Sequence, residues 1–215
     1  ASGGGFDIYL TARALASRSG AGLTAGQTAQ ALYKPVGLNL NSLLTAKVLI
    51  SSSGGGFDMY DTARALYNPS GLDLSLTATA KTLFSSSGAN VGMFNTARAL
   101  HLSAGLGRSL DATASALRSS AGAGLNIYQT AQALFSSSGL GKDVFATAKS
   151  LYSPNGADLT YYDTARAIFS PSGLGRSIYV TAKALFSSSG ANLDWYQTAR
   201  ALSHSSGISS EERRA

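Results

Sequence analysis

Small, apolar and polar residues recur along this chain at a fixed step of 17. The pair Thr-Ala stands at Thr11, Thr28, Thr45, Thr62, Thr79, Thr96, Thr113, Thr130, Thr147, Thr164, Thr181 and Thr198, with no insertion or deletion. A leucine keeps a second phase from Leu15 to Leu202, replaced once by Ile168, and a glycine keeps a third from Gly3 to Gly207. Strict self-similarity marks a repeat architecture, in which each unit buries its apolar face against its neighbours.

With Thr as position 1, the unit reads T-A-x-A-L-x-S-x-S-G-x-x-x-(D/S/T/N)-x-Y-x. Position 14 holds Asp7, Thr24, Asn41, Asp58, Ser75, Gly92, Ser109, Asn126, Asp143, Thr160, Ser177 and Asp194. All twelve belong to the set that opens helices, most by accepting a backbone N–H of the first turn. A Ser-rich stretch, with Pro35, Pro69, Pro154 or Pro171 in four copies, then leads to the unvarying glycine. Proline cannot continue a helix, and glycine readily takes the left-handed conformation that closes one. Each unit therefore predicts one short helix from about position 15 to position 7, followed by a connection of six or seven residues.

On a wheel of about 100° per residue, positions 15, 2, 5, 6 and 16 fall together and carry the aromatics, leucines and alanines. Positions 3, 7 and often 17 form the polar back, and Thr and Ala at positions 1 and 4 make a flank of small residues. The pattern predicts that large side chains of one helix enter the small-residue groove of the next. Helices this short are marginal alone in water, so stacking must hold them.

A weaker 34-residue alternation is superimposed. Position 11 is Leu38, Leu72, Leu106, Leu140 and Leu174 in one class, and Ala or Gly in the other. Position 17 alternates polar Gln27, Asp61, Asn95, Gln129, Asp163 and Gln197 with apolar residues such as Leu44 and Val180. The expected fold is an all-α, elongated α-solenoid of twelve short helices paired into antiparallel 34-residue units. A competing geometry has one parallel coil per 17 residues, with an extended return segment. Residues 1–207 read as a single repeat domain and 208–215 as a polar, charged C-terminal cap. The chain opens mid-unit, and Ala1–Gly5 has neither the basic nor the apolar region of a secretory leader, so a leader is expected to be absent or removed.

Composition narrows the chemistry. The chain has 215 residues, 13% charged and 44% hydrophobic, which is too apolar for generic disorder. It has no cysteine, which excludes a disulfide scaffold, a thiolate metal site and cysteine catalysis. No apolar run reaches the ~18 residues of a membrane span. Asp7, Asp58, Asp143 and Asp194 read as helix caps, and Asp61 and Asp163 as complements to the helix dipole. Asp73, Asp111 and Asp158 offer no pairing for acid–base work. His101 and His204 are too few for a metal site. Trp195 reads as core. Ser136–Asp143 has the outline of a phosphate loop but lacks its first glycine, its Ser/Thr and a preceding strand. No catalytic, metal-binding or cofactor-binding residue is expected, nor a small-molecule substrate.

One chemical row stands out. Position 3 is basic at Arg13, Lys47, Arg64, Lys81, Arg98, Lys149, Arg166, Lys183 and Arg200, and Arg108, Lys142 and Arg176 follow Gly-Leu-Gly in alternate repeats. With a net charge of +6, these twelve cations are the candidate site for nucleic acid or another polyanion. Antiparallel pairing would split position 3 between two faces, and a solvated row is the plainer explanation. The stretch from Ser138 to Thr147 resembles the glycine-basic turn and second helix of TAL-effector-type DNA-binding repeats, also 34 residues long, which would imply DNA binding. It lacks their variable base-reading pair. If the Thr/Ala flank faced outward, it would resemble the surface of helical antifreeze proteins and imply ice binding.

The expected function is thus a non-enzymatic structural or interaction scaffold. It would present a repeated surface for self-assembly, pairing another copy at its uncapped start, or for an extended protein partner.

Overall fold

The computed structural model describes residues 7–204 and 207–208. Among them every regular element is a helix: α1 (Ile8–Ala16), α2 (Ala25–Tyr33), α3 (Ser42–Ile50), α4 (Met59–Tyr67), α5 (Leu76–Phe84), α6 (Gly92–His101), α7 (Leu110–Arg118), α8 (Ile127–Phe135), α9 (Val144–Tyr152), α10 (Tyr161–Phe169), α11 (Ile178–Phe186) and α12 (Trp195–Ser203). Each regular unit runs from position 15 to position 6, one residue shorter than the pattern predicts. Position 7 is an extended C-cap, such as Ser51 or Asn68.

The capping slots work as the sequence indicates. Asp58 accepts from the Asp61 N–H at 2.7 Å and Asn126 from the Gln129 N–H at 2.9 Å. Position 17 is the third helical residue, and in α2, α8 and α12 its glutamine completes a capping box. That accounts for the polar class at position 17. Gly92 occupies the capping slot of α6, where no side chain accepts.

The connections decide the helix directions. After α8, the Gly139 N–H donates to Ser136 O at 2.9 Å and Leu140 N–H to Ala133 O at 3.0 Å. Gly141 N–H donates to Ser136 O at 2.9 Å and Lys142 N–H to Leu134 O at 3.0 Å. The residue just before the next N-cap, Asp143, is therefore still bonded to the last turn of the helix that has ended. The next helix starts where the previous one stops. Among the described residues no connection holds an extended return segment, so consecutive helices within each compact unit form antiparallel hairpins and the parallel coil is excluded.

The glycine at position 10 serves a different purpose from the one expected of it. Its φ is not positive. A Cβ built on Gly71 would lie 1.9 Å from the Ala65 carbonyl oxygen, so the turn closes against the helix only where no side chain exists. The left-handed residue is two places on, at position 12, where Asn39, Asp73, Asn90, Asp158 and Asn192 have φ between 52° and 56°. Glycine fills that slot in other copies, Gly124 with φ 66° among them. Prolines sit at position 8, the first corner of the turn, where a fixed φ fits and no donor is needed.

The chain divides into two compact units, Ala1–Gly107 with Ala121–Ala123, and Arg108–Ser120 with Gly124–Ala215. In the first unit each of α1 to α6 packs on its next and next-but-one neighbours, and in the second α7 to α12 do the same. Each unit is accordingly a two-layer solenoid segment, with odd helices in one layer and even helices in the other.

The buried stripe differs from the wheel prediction. Positions 1, 2, 4 and 5 are buried along the stack, with Leu32, Leu49, Leu66, Leu134 and Leu151 at 0% exposure. The aromatic slots at 6 and 16 are half-buried or exposed. Helices of nine residues gain little from long reach and much from close approach, so Thr and Ala take the interface and the aromatics spread over its edge. Those aromatics still meet glycine, but in a loop: a Cβ on Gly54 would lie 3.4 Å from Cδ1 of the Tyr9 ring, at position 16 two helices earlier.

Candidate functional site

The twelve candidate cations separate by layer. On the odd helices, Arg13, Lys47, Lys81, Lys149 and Lys183 are exposed at position 3, with Ser115 in the same slot of α7. On the even helices, Arg64, Arg98 and Arg166 are half-buried and Arg200 is exposed. Glutamine fills this slot in α2 and α8, and its contacts show what the even slot does. Gln30 Nε2 donates to the Gly71 carbonyl at 3.2 Å, and Gln132 Nε2 donates to the Ser172 carbonyl at 2.9 Å. Arg64 Nη1 donates in the same way to Ala104 O, while its Nη2 bonds Asp61. In α2, α4 and α8 position 3 therefore ties the helix to the loop beyond the next even helix. The single file of cations read from the sequence is two sets with different surroundings.

Arg108, Lys142 and Arg176 occupy position 13, beside the N-caps of α7, α9 and α11, and are half-buried. The Arg176 guanidinium lies 4.6 Å from the centroid of the Phe135 ring, a cation–π contact that holds it against α8. These residues belong to the turns, whereas the lysines of position 3 belong to the helices.

The alternation was open to inspection in the sequence: position 3 is lysine in α3, α5, α9 and α11, but arginine or glutamine in every even helix. Lysine is a solvated point charge, whereas arginine and glutamine are planar donors suited to a carbonyl.

The phosphate-loop outline at Ser136–Asp143 offers no cradle. Its Ser138, Gly139, Leu140, Gly141 and Lys142 N–H groups all donate within the loop or to α8. Backbone donors already engaged cannot receive an anion.

The threonines of position 1 face inward. From Thr28 to Thr181 they are 0% exposed, and Thr198 is 8%. Most donate to the carbonyl of the capping residue, as Thr147 does to Asp143 O at 2.8 Å. The outward Thr/Ala surface that ice binding requires is not formed by them.

Other polar groups are engaged structurally. Asp73 and Asp158 stand in the left-handed turn slot. Asp111 accepts from Ser150 and from Ser153, the latter at 3.2 Å, tying α7 to α9. A hydrogen bond between the Tyr161 and Tyr162 side chains, together with desolvation, raises the Tyr161 phenol above its ordinary value of 10.0. Among the described residues no group of three or more His, Asp or Glu side chains gathers as a metal site would require. Among the described residues no helix is long and apolar enough to cross a membrane.

Sequence reasoning missed the end of the second unit. Trp195, expected in the core, is 64% exposed and stacks on Tyr196 with ring centroids 3.6 Å apart. Tyr179 is 82% and Phe186 57% exposed nearby in α11. An apolar cleft between Phe186, Trp195, Ala182 and Ala199 opens on this face. The repeat also runs one residue into the segment read as a polar cap: Ile208 is fully buried, and its N–H donates to Ala201 O as position 11 does elsewhere. The rest of that cap, 209–215, and the opening residues 1–6 lie outside the described residues.

Comparison with family models, with curated proteins and with solved structures finds no match to this chain.

Proposed function

We propose that the protein is a non-enzymatic interaction scaffold, offering one surface pattern at regular steps to an extended partner or to further copies of itself. The carrying observation is the division of labour within the repeat. Positions 1, 2, 4 and 5 are nearly constant and buried, whereas positions 3, 6 and 16 vary and reach the surface. Selection for a catalytic centre concentrates distinctive side chains in one place, while this chain spreads equivalent ones over every pair. The test is sedimentation of the full chain, alone across a wide concentration range and with a heparin oligosaccharide or a single-stranded 20-mer at low salt. A species larger than the chain in either arm supports a scaffold. A monomer in both arms overturns it.

A second reading, polyanion binding, is favoured by the exposure of Arg13, Lys47 and Lys81 in the first unit and of Lys149 and Lys183 in the second. All five stand at the same helix position in the odd layer. Binding of this kind weakens as salt rises, by about 0.9 in log affinity per log salt for each phosphate engaged on duplex DNA.

A further inference from the structure

Position 3 lies opposite the stripe formed by positions 1, 2, 4 and 5, so on every helix it points away from the core. In the odd layer it is exposed lysine: Lys47 and Lys81 on α3 and α5, which pack together in the first unit, and Lys149 and Lys183 on α9 and α11, which pack together in the second. No carboxylate stands three or four residues from any of the four. Around Lys81 those places hold Thr77, Ala78, Phe84 and Ser85. The even layer is built differently, since Asp61 precedes Arg64 and Asp163 precedes Arg166 by three residues. Among the described residues the ion pair formed is that of Arg64 with Asp61, and none of the four lysines has one.

Solubility alone is served by charges of both signs interspersed. A row of one sign instead raises the local potential and draws anions to it. Two features decide which polyanion suits this row. Neighbouring helices of a layer stand about 8–10 Å apart, and successive lysines step at that interval. Phosphates recur about every 3.4 Å along each strand of duplex DNA, so most of them would pass between lysines. Single strands are held by aromatic side chains on which the bases stack, in addition to cations. From α3 to α10 no large apolar side chain is exposed, and Phe84, Phe145 and Tyr152 beside the lysines are half-buried. The neighbours that do reach solvent are hydroxyls, Ser52 and Ser86 among them.

We propose that the odd-layer lysines bind a sulfated polysaccharide, laid across the helices of a unit with sulfate groups at successive lysines and sugar hydroxyls toward the serine turns. This rests on the polyanion reading and narrows it to a base-free chain recognised by widely spaced charge. Lysine suits that task because its ammonium is a mobile point charge that meets a sulfate from many directions, whereas the planar fork of arginine serves the fixed carbonyl ties of the even layer. Lys47 and Lys81 hold one segment of the chain in the first unit, and Lys149 and Lys183 hold a segment in the second.

The test titrates the full chain with a labelled heparin oligosaccharide, its desulfated form and a thymidine single strand of equal charge, by fluorescence anisotropy at several salt concentrations. The sulfated oligosaccharide is expected to bind more tightly than the single strand, and the desulfated form to lose binding. Lys47→Gln with Lys81→Gln is expected to weaken heparin binding several-fold and to lower its salt slope by about one per lysine. Ala78→Glu sets a carboxylate three residues before Lys81, the spacing of Asp61 and Arg64, and is expected to weaken binding as Lys81→Gln does. All of these sites are at least half-exposed, and circular dichroism of each variant is expected to match the native chain. A single strand that binds as tightly as heparin overturns the inference while the polyanion reading stands. So does heparin binding that is indifferent to the lysine variants or to Ala78→Glu. Binding of neither probe at low salt overturns the polyanion reading together with this inference.

Discussion

Gln30 reaches 41 residues along the chain to donate its Nε2 to the carbonyl of Gly71. The bond joins two helices of one layer through a loop whose carbonyl has no partner within its own hairpin turn. It also explains why the same slot accepts arginine in α4: both side chains present an N–H at the end of a flexible stem, and neither needs a carboxylate to meet.

If that donor is what the even slot requires, Gln132→Ala loses a neutral hydrogen bond, about 1 kcal/mol of unfolding free energy. Gln132→Glu is expected to cost more, since a carboxylate turned toward the Ser172 and Gly173 carbonyls can only accept. Gln132→Arg is expected to keep most of the stability. Urea unfolding of the three variants reads the order directly.

The two glycine slots are expected to respond differently. Gly71→Ala forces a Cβ to within 1.9 Å of the Ala65 oxygen and is expected to cost about 3 kcal/mol or more, at the upper end of overpacking penalties. Gly124→Ala has open space around the new methyl, and only its φ of 66° opposes it, a cost of about 1–2 kcal/mol. Equal losses in thermal melts would contradict the distinction between closure at position 10 and handedness at position 12.

Thr62 buries a hydroxyl that meets no hydrogen-bond partner, whereas the Thr113 hydroxyl donates to the Ser109 carbonyl at 2.9 Å. Thr62→Val removes an unsatisfied polar group at nearly constant volume, and a stability gain of up to about 1 kcal/mol is expected. The same change at Thr113 is expected to cost about 0.5–1.5 kcal/mol. Differential scanning calorimetry of the pair separates them.

For the polyanion reading, Lys149→Glu with Lys183→Glu is expected to lower heparin affinity and flatten its salt dependence. Arg64→Gln, which exchanges one even-layer tie for another, is expected to leave both nearly unchanged. Fluorescence titrations at three salt concentrations distinguish the layers, and equal losses would show that layer is irrelevant to charge.

Much of the fold was legible along the chain because its determinants lie within a turn or two of backbone. Asp58 caps α4 through a residue three places away, and the Pro and Ser of the connection act on their own turn. The left-handed slot was equally local: position 12 admits only Gly, Asn or Asp in the eleven connections from Gly22 to Asn192, a signal the repeat consensus hides by allowing any residue there. The candidate row was less legible. Arg64 and Lys47 share a repeat position and a charge, and nothing within their own helices distinguishes a tie to a distant carbonyl from a solvated side chain.

By itself the amino-acid sequence determined the period, the helix starts and the 34-residue alternation, all consequences of interactions between near neighbours. Only the tertiary structure decided that consecutive helices run antiparallel and which stripe is core. A ranking by hydrophobicity points to the aromatics, but helices nine residues long are held by how closely their backbones approach. The buried Thr and Ala allow that closeness between helices next to each other and two places apart, while Tyr179, Phe186 and Trp195 lie at the surface.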